Sequence, residues 1–284
     1  MTGKRERAKN WKKAPAIVAM LVGSAVLLTP AEPAGAAQGL LTAKTEDTTQ
    51  MVYALKMADT HTTAAVKRER EKTAAVVSQD LEEEPFAPVP ESEAVEDTYF
   101  KDAVFLGDSR TEGFSLYSGL EAGAYLYGVG ATVESVFSKN VWETSGGKVP
   151  LLDALAETGC GKVYLMLGIN ELGWSKWETF YNQYGKVIDR IREDLPDAEI
   201  ILQSILPVSA KQDAKGSYVN NQRIGVYNEV IRTLAEEKDC ALVDVAEALT
   251  GEDGCLPADL NFDGIHLNPA GCRLWLEYLR THSV

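Results

Sequence analysis

The sequence predicts a doubly wound α/β sandwich built on about five parallel strands. Short apolar runs of strand length recur from Tyr99 onward, amphipathic stretches of helix length separate the last three of them, and the first three runs each lead into a glycine-bearing polar turn. Strand and helix in succession is the pattern of a parallel sheet covered by helices on both faces.

The apolar runs place strands at Ala103 to Leu106, Ala124 to Tyr127, Lys162 to Leu167, Glu199 to Leu206 and Ala241 to Val243. Helices are expected over Lys176 to Asp194 and Asn221 to Lys238, where apolar residues recur at helical spacing. A last helix is expected over Pro269 to His282, since proline suits a first helical turn.

Before this domain the chain has a different character. Residues Lys4 to Lys13 carry six basic side chains, and an uncharged apolar run follows from Ala14 to Thr29. That run is short for a membrane-spanning helix, and Pro30 and the small residues Ala34 to Ala37 come after it. A cleaved signal peptide over residues 1–36 is favoured over an uncleaved anchor, and either places the rest of the chain outside the cytoplasmic membrane of a bacterium-like cell. Membrane contact is expected through this segment alone. Residues 37–98 are rich in Thr, Ala, Glu and Lys and end in the acidic, proline-containing stretch Leu81 to Glu96, which predicts a largely disordered linker before a domain at 99–284.

The first 36 residues carry +4, so the remainder holds −18 of the total −14. An acidic surface of that strength repels phosphate backbones and excludes nucleic acid as a partner. Hydrophobic residues at 45% and charged residues at 25% are ordinary for a soluble domain with a core. Three histidines and four cysteines, without any Cys-x-x-Cys pair, offer few ligands for a metal, and none is expected. Cys255 and Cys272 bracket the segment Asp263 to His266, and the sequence leaves open whether they form a disulfide or remain buried thiols. A monomer is the default expectation.

In an open parallel sheet, ligands bind beyond the carboxyl ends of the strands. Three turns should meet there: Gly107-Asp108-Ser109-Arg110, Gly128-Val129-Gly130-Ala131 and Gly168-Ile169-Asn170-Glu171. A serine becomes nucleophilic only when a neighbouring base accepts its proton. His61 falls in the linker and His282 lies two residues from the end, which leaves His266, with Asp263 three residues before it. A tetrahedral intermediate would need donors for its oxyanion, and the N–H groups of Ser109 and Gly130 and the Asn170 amide are the natural set. Taken singly, Gly130 reads as a turn and Asn170 as a helix cap. No Gly-x-Ser-x-Gly elbow surrounds any serine.

These segments resemble the SGNH, or GDSL-like, hydrolase family from about Ala103 to the C-terminus. Phe105-Leu106-Gly107-Asp108-Ser109, Gly130, Gly168-Ile169-Asn170 and Asp263-Gly264-Ile265-His266 match its blocks in order. The resemblance implies a flavodoxin-like three-layer α/β/α sandwich. It also implies Ser109 as nucleophile, His266 as base, Asp263 as its orienting partner, and Ser109, Gly130 and Asn170 as the oxyanion hole, without a cofactor. Glu171 stands where the family often has Asp, and Arg110-Thr111 replaces the familiar continuation after the serine. Asp108 and Trp174 are candidates for substrate contact. Trp174 and Trp142 would suit a sugar ring, although tryptophans at such places more often complete a core. The expected reaction is hydrolysis of small acyl esters, O-acetyl groups on surface carbohydrate first among them. A lipid-directed esterase and a silent glycan-binding domain are the rivals.

Overall fold

The computed structural model describes residues 86–284. The targeting pattern, and the linker as far as residue 85, lie outside the described residues. Five parallel strands form the main sheet: β1 (Ala103–Gly107), β2 (Ala124–Tyr127), β5 (Lys162–Met166), β6 (Glu199–Gln203) and β7 (Ala241–Val243). Their order is β2-β1-β5-β6-β7, so the chain reverses its direction of winding between β1 and β5. That switch point is where a doubly wound sheet leaves a crevice beyond its strand ends. A short antiparallel hairpin, β3 (Trp142–Thr144) and β4 (Gly147–Val149), stands apart from the sheet.

Successive strand residues point to opposite faces, and the two cores divide accordingly. Val104, Leu106, Val163, Leu165, Ile200, Leu202 and Leu242 face one way. They pack against α2 (Leu151–Ala156), α3 (Trp177–Asp194) and α5 (Asn221–Glu237). Phe105, Tyr164, Met166, Ile201 and Val243 face the other way, toward α1 (Ser109–Tyr117), α6 (Ala246–Leu249) and α7 (Pro269–Thr281). In α3 the buried Phe180, Tyr184, Val187, Ile188 and Ile191 recur at helical spacing, which is why this helix was legible. Asn220 caps α5 by accepting from the Arg223 N–H, and Asn268 caps α7 ahead of Pro269. The short α4 (Ala210–Asp213) follows β6.

Two expectations are corrected, and the open question of the cysteines is answered. The sheet strand at Glu199 ends at Gln203 rather than Leu206, because Asn228 takes over the backbone there: its Oδ1 accepts from Ile205 N–H (2.7 Å) and its Nδ2 donates to Ile205 O (3.0 Å). The domain begins before Tyr99. Within the segment assigned to the linker, Val89, Ser92 and Val95 donate backbone hydrogen bonds to Leu242, Thr281 and Arg280, and Phe86, Val89 and Val95 pack on the two cores. All four cysteines are free. Cys272 is buried with its Sγ toward Gly113 O in α1, whereas Cys255 Sγ accepts from Asn221 in α5, so the two thiols face different elements.

Candidate active site

Gly107 ends β1, and a side chain there would bring a Cβ within 2.1 Å of Thr111 Oγ1 and 2.5 Å of Met166 O. Only glycine lets α1 start this close to β5. Asp108 caps α1, its Oδ1 accepting from the Arg110 N–H at 2.8 Å. At 1% exposure Asp108 has no surface for substrate, so its expected binding role is corrected to a structural one. Burial pushes its carboxyl up to about 6, against the Arg110 N–H and the charges of Arg110 and His266. Ser109 is the first residue of the helix, where an N–H has no partner within the helix, and the residue is half-buried.

Arg110 is a residue whose role the sequence did not signal. Its guanidinium is buried and donates to Leu206 O (2.7 Å) and Pro207 O (3.4 Å). Burial pushes it down to about 10, so it keeps its charge at neutral pH. Two residues after Pro207, the Ser209 N–H donates to Gly264 O at 2.9 Å. Arg110 therefore ties the helix that carries Ser109 to the strap that holds the Asp263 loop.

Asp263 and His266 lie in a loop closed by an isolated bridge between Asn261 and Leu267. Asp263 Oδ1 accepts from the N–H groups of Ile265 (2.9 Å) and His266 (2.8 Å), a turn in which the carboxylate organises its own loop. Its Oδ2 lies 2.8 Å from His266 Nδ1, and His266 Nε2 lies 3.0 Å from Ser109 Oγ. Partial burial raises the Asp263 carboxyl, but the hydrogen bonds from His266 and Ile265 outweigh it and hold it at about 2. An ionised carboxylate on Nδ1 fixes the tautomer that leaves Nε2 free to accept the serine proton.

The other two turns converge on the same edge. Leu106 and Gly107 pair in register with Leu126 and Tyr127 on one side and with Leu165 and Met166 on the other, so the segments after all three strands are neighbours. Gly130 has φ +70, a conformation that favours glycine, and the space where a Cβ would stand is open. Its N–H has no protein acceptor among the described residues. The Asn170 amide donates one N–H to Ala131 O at 2.8 Å, which brings it against the Gly130 loop and leaves its second N–H. Trp174 is half-buried and packs on the core, with its N–H on Glu171 O, and Trp142 meets Tyr127 edge to face. His282 stacks on Tyr278 at the far end of α7 and takes no part.

A hydroxyl, an imidazole and a carboxylate in hydrogen-bond series, beside unpartnered N–H donors, can perform acyl transfer. The imidazole takes the Ser109 proton as Oγ attacks a carbonyl, the donors stabilise the oxyanion, and the imidazolium returns the proton to the leaving alcohol. Water then attacks the acyl-serine by the same steps in reverse roles.

Residues 105–274 match the model of the GDSL-like lipase/acylhydrolase family. No curated protein matches the chain. Among solved structures, a provisionally named GDSL-like lipase from Parabacteroides merdae ATCC 43184 is 16% identical with a TM-score of 0.50, over 69% of this chain and 99% of that one. A GDSL-like lipase from Bacteroides thetaiotaomicron VPI-5482 is 17% identical with a TM-score of 0.48, over 74% of this chain and 93% of that one. An acetyl xylan esterase is 19% identical with a TM-score of 0.49, over 64% of this chain and 99% of that one. At 16% identity the likeness to the Parabacteroides merdae structure is one of fold. The family match spans more than half of the sequence and contains every one of the turns described above, and the chain therefore belongs to the GDSL-like lipase/acylhydrolase family of carboxylic ester hydrolases.

Proposed function

We propose that the protein is an exported serine esterase that removes small acyl groups, O-acetyl above all, from carbohydrate at the cell surface. Ser109 is the nucleophile, His266 the general base and Asp263 its orienting partner, with Ser109 N–H, Gly130 N–H and Asn170 Nδ2 as oxyanion donors. The observation that carries this reading is the unbroken series Asp263 Oδ2, His266 Nδ1, His266 Nε2, Ser109 Oγ, with links of 2.8 and 3.0 Å.

The substrate class rests on how open the site is. The side chains of His266 and Asp263 are 41% and 54% exposed and Gly130 is exposed, so an ester displayed on a bulky polymer can reach Ser109 without entering a tunnel. Export rests on the basic and apolar segments of residues 4–29. The test is turnover of acetylated glycans and of 4-nitrophenyl esters of graded chain length by the wild type and Ser109→Ala. Rates highest for acetyl and lost in Ser109→Ala are expected. Rates that rise with acyl length would replace the carbohydrate reading with a lipid-directed one, which the exposed Val129 and Phe262 beside Gly130 and Asp263 would then serve. Equal turnover by both proteins would dismiss Ser109.

A further inference from the structure

Glu171 is a buried carboxylic acid that the acyl-transfer steps leave unused. It directly follows Asn170, is 0% exposed, and lies at the junction of the two loops that carry the oxyanion donors. Its Oε1 accepts from the Val133 N–H at 2.6 Å, while the Asn170 amide donates to Ala131 O at 2.8 Å. Two bonds running in opposite directions therefore clamp residues 131–133 to residues 170–171. The peptide carbonyl of Glu171 accepts from the Tyr227 hydroxyl of α5 (2.9 Å) and from the Trp174 N–H (2.8 Å), which fixes the clamp to the core. The second carboxyl oxygen, Oε2, is buried without a protein partner. An ionised carboxylate is poorly served by such a place, and a neutral acid suits it better.

We infer that Glu171 acts as a neutral acid, a positioning residue that clamps Gly130 and Asn170 in oxyanion-binding geometry and whose ionisation switches the oxyanion hole off. The inference rests on the esterase reading of the Ser109 site. The clamp itself survives ionisation, because a carboxylate accepts from Val133 at least as well as the acid does. What changes is charge. A negative carboxylate one residue from Asn170, in a water-poor setting, opposes the oxyanion that the Asn170 amide must stabilise.

The neighbouring groups favour the neutral form. Asp108, in the turn after β1, adds a negative charge; Tyr184 of α3 is buried, with its hydroxyl unpartnered; Tyr227 of α5 is bonded to the peptide carbonyl. Arg223 of α5 holds its guanidinium on Leu172 O, one residue along the chain. Burial first, and Asp108 with it, push the Glu171 carboxyl up to about 8 against the lowering effect of the N–H groups of Val133, Glu171 and Asn170.

The test compares kcat and KM for 4-nitrophenyl acetate between pH 6 and 10, with the enzyme-free rate subtracted, in the full-length wild type, Glu171→Gln, Glu171→Leu and Ser109→Ala. The wild type should lose about tenfold in kcat between pH 7 and 9, as a group titrating near pH 8 requires. Glu171→Gln keeps an acceptor for Val133 and cannot ionise, so its kcat should change less than about twofold over the same interval. Glu171→Leu severs the clamp and should cut kcat at least about tenfold at pH 7 with little change in KM. An alkaline loss in Glu171→Gln equal to that of the wild type, or no loss in either, overturns the switch. Wild-type kcat in Glu171→Leu overturns the clamp, and if that variant does not fold, the Glu171→Gln comparison still decides. Turnover lost in Ser109→Ala confines any such failure to Glu171, whereas turnover retained there overturns the esterase reading and the inference with it.

Discussion

Replacing Asn170 by alanine removes two interactions at once, and the structure separates their consequences. One N–H of the amide is held by Ala131 O at 2.8 Å, and the other is left for an oxyanion. Loss of an oxyanion donor raises the barrier by about 3 kcal/mol, which is about 10²-fold in kcat. The interaction exists only once charge has moved onto the carbonyl oxygen, so KM should stay near its wild-type value. The lost bond to Ala131 is a matter of stability instead. Ala131 is 4% exposed, so its carbonyl is left unpaired away from water at a cost of about 1–3 kcal/mol. That should lower Tm by several degrees in a domain of this size. Asn170→Asp is the sharper control, since it keeps the volume but puts an acceptor and a negative charge where a donor is needed. It should lose more kcat than Asn170→Ala. Steady-state kinetics with an acetyl ester and thermal melts of the three proteins decide the matter: wild-type kcat in Asn170→Ala would refute the oxyanion role, and a tenfold rise in KM at constant kcat would make Asn170 a ground-state binding residue.

Asp263→Asn should lower kcat strongly while the loop keeps its backbone hydrogen bonds. The amide oxygen can still accept the N–H groups of Ile265 and His266, but its NH₂ would face Nδ1 and favour the wrong imidazole tautomer; kcat close to wild type would show that His266 is oriented by other means. Stability should also depend on pH through Glu171. Its folded pKa is raised from 4.5 to about 8, so the folded protein keeps a proton that the unfolded chain has lost, and stability falls as pH rises across that window. Chemical denaturation at pH 5 and pH 8 should show a loss of a few kcal/mol in the wild type that Glu171→Gln lacks; parallel pH profiles would contradict it. Asp263 works in the opposite sense: held at about 2 against an ordinary 3.8, it contributes stability above that ordinary value, and the contribution fades as pH falls through about 2.

The sheet was legible because most of its strand residues are buried, so each strand reads as a nearly continuous apolar run; all five begin at the expected residue and Ala124 to Tyr127 and Ala241 to Val243 match throughout. The long helices were legible through spacing such as Phe180, Tyr184, Val187 and Ile191. What escaped was structure whose stabilisation is tertiary. The helix α1 buries Arg110 and Thr111 beside Phe114, so its inward face carries a charge and a hydroxyl and shows no apolar stripe. The hairpin at Trp142 to Val149 has strands of three residues, too short for a period to register. The four segments of the candidate site were identifiable because each kept its own chemistry: the serine after a strand, a glycine turn, the asparagine, and the histidine that follows Asp263. The ties between those segments were not, because Arg110 to Leu206 O and Glu171 to Val133 N–H join side chains to main-chain atoms that carry no residue type. Glu171, next to Asn170 in the chain, reaches across to the neighbouring loop.

The same limit explains the domain boundary, and it yields a prediction. Residues 86–98 look like linker because they are acidic, contain proline and lack periodicity, yet the sheet has an exposed flank at β7 and the last helix has free carbonyls at its end. Val89 N–H meets Leu242 O at 2.8 Å, Ser92 N–H meets Thr281 O at 2.7 Å and Val95 N–H meets Arg280 O at 2.9 Å, while the Arg280 guanidinium grips Asp97 at 2.7 Å. Three backbone bonds at about 1 kcal/mol each, with partial burial of Phe86, Val89 and Val95 at about 1 kcal/mol apiece, amount to roughly 6 kcal/mol before the entropy of ordering the segment is subtracted. A residue of even 2 kcal/mol is a large share of a domain's stability. A chain starting at residue 84 should therefore unfold at a distinctly higher denaturant concentration than one starting at residue 99, with both active in dilute buffer because none of these contacts touches Ser109, Gly130, Asn170 or His266. Equal midpoints would mean that the segment's ordering cost cancels its contacts, and that the boundary belongs at Tyr99 after all.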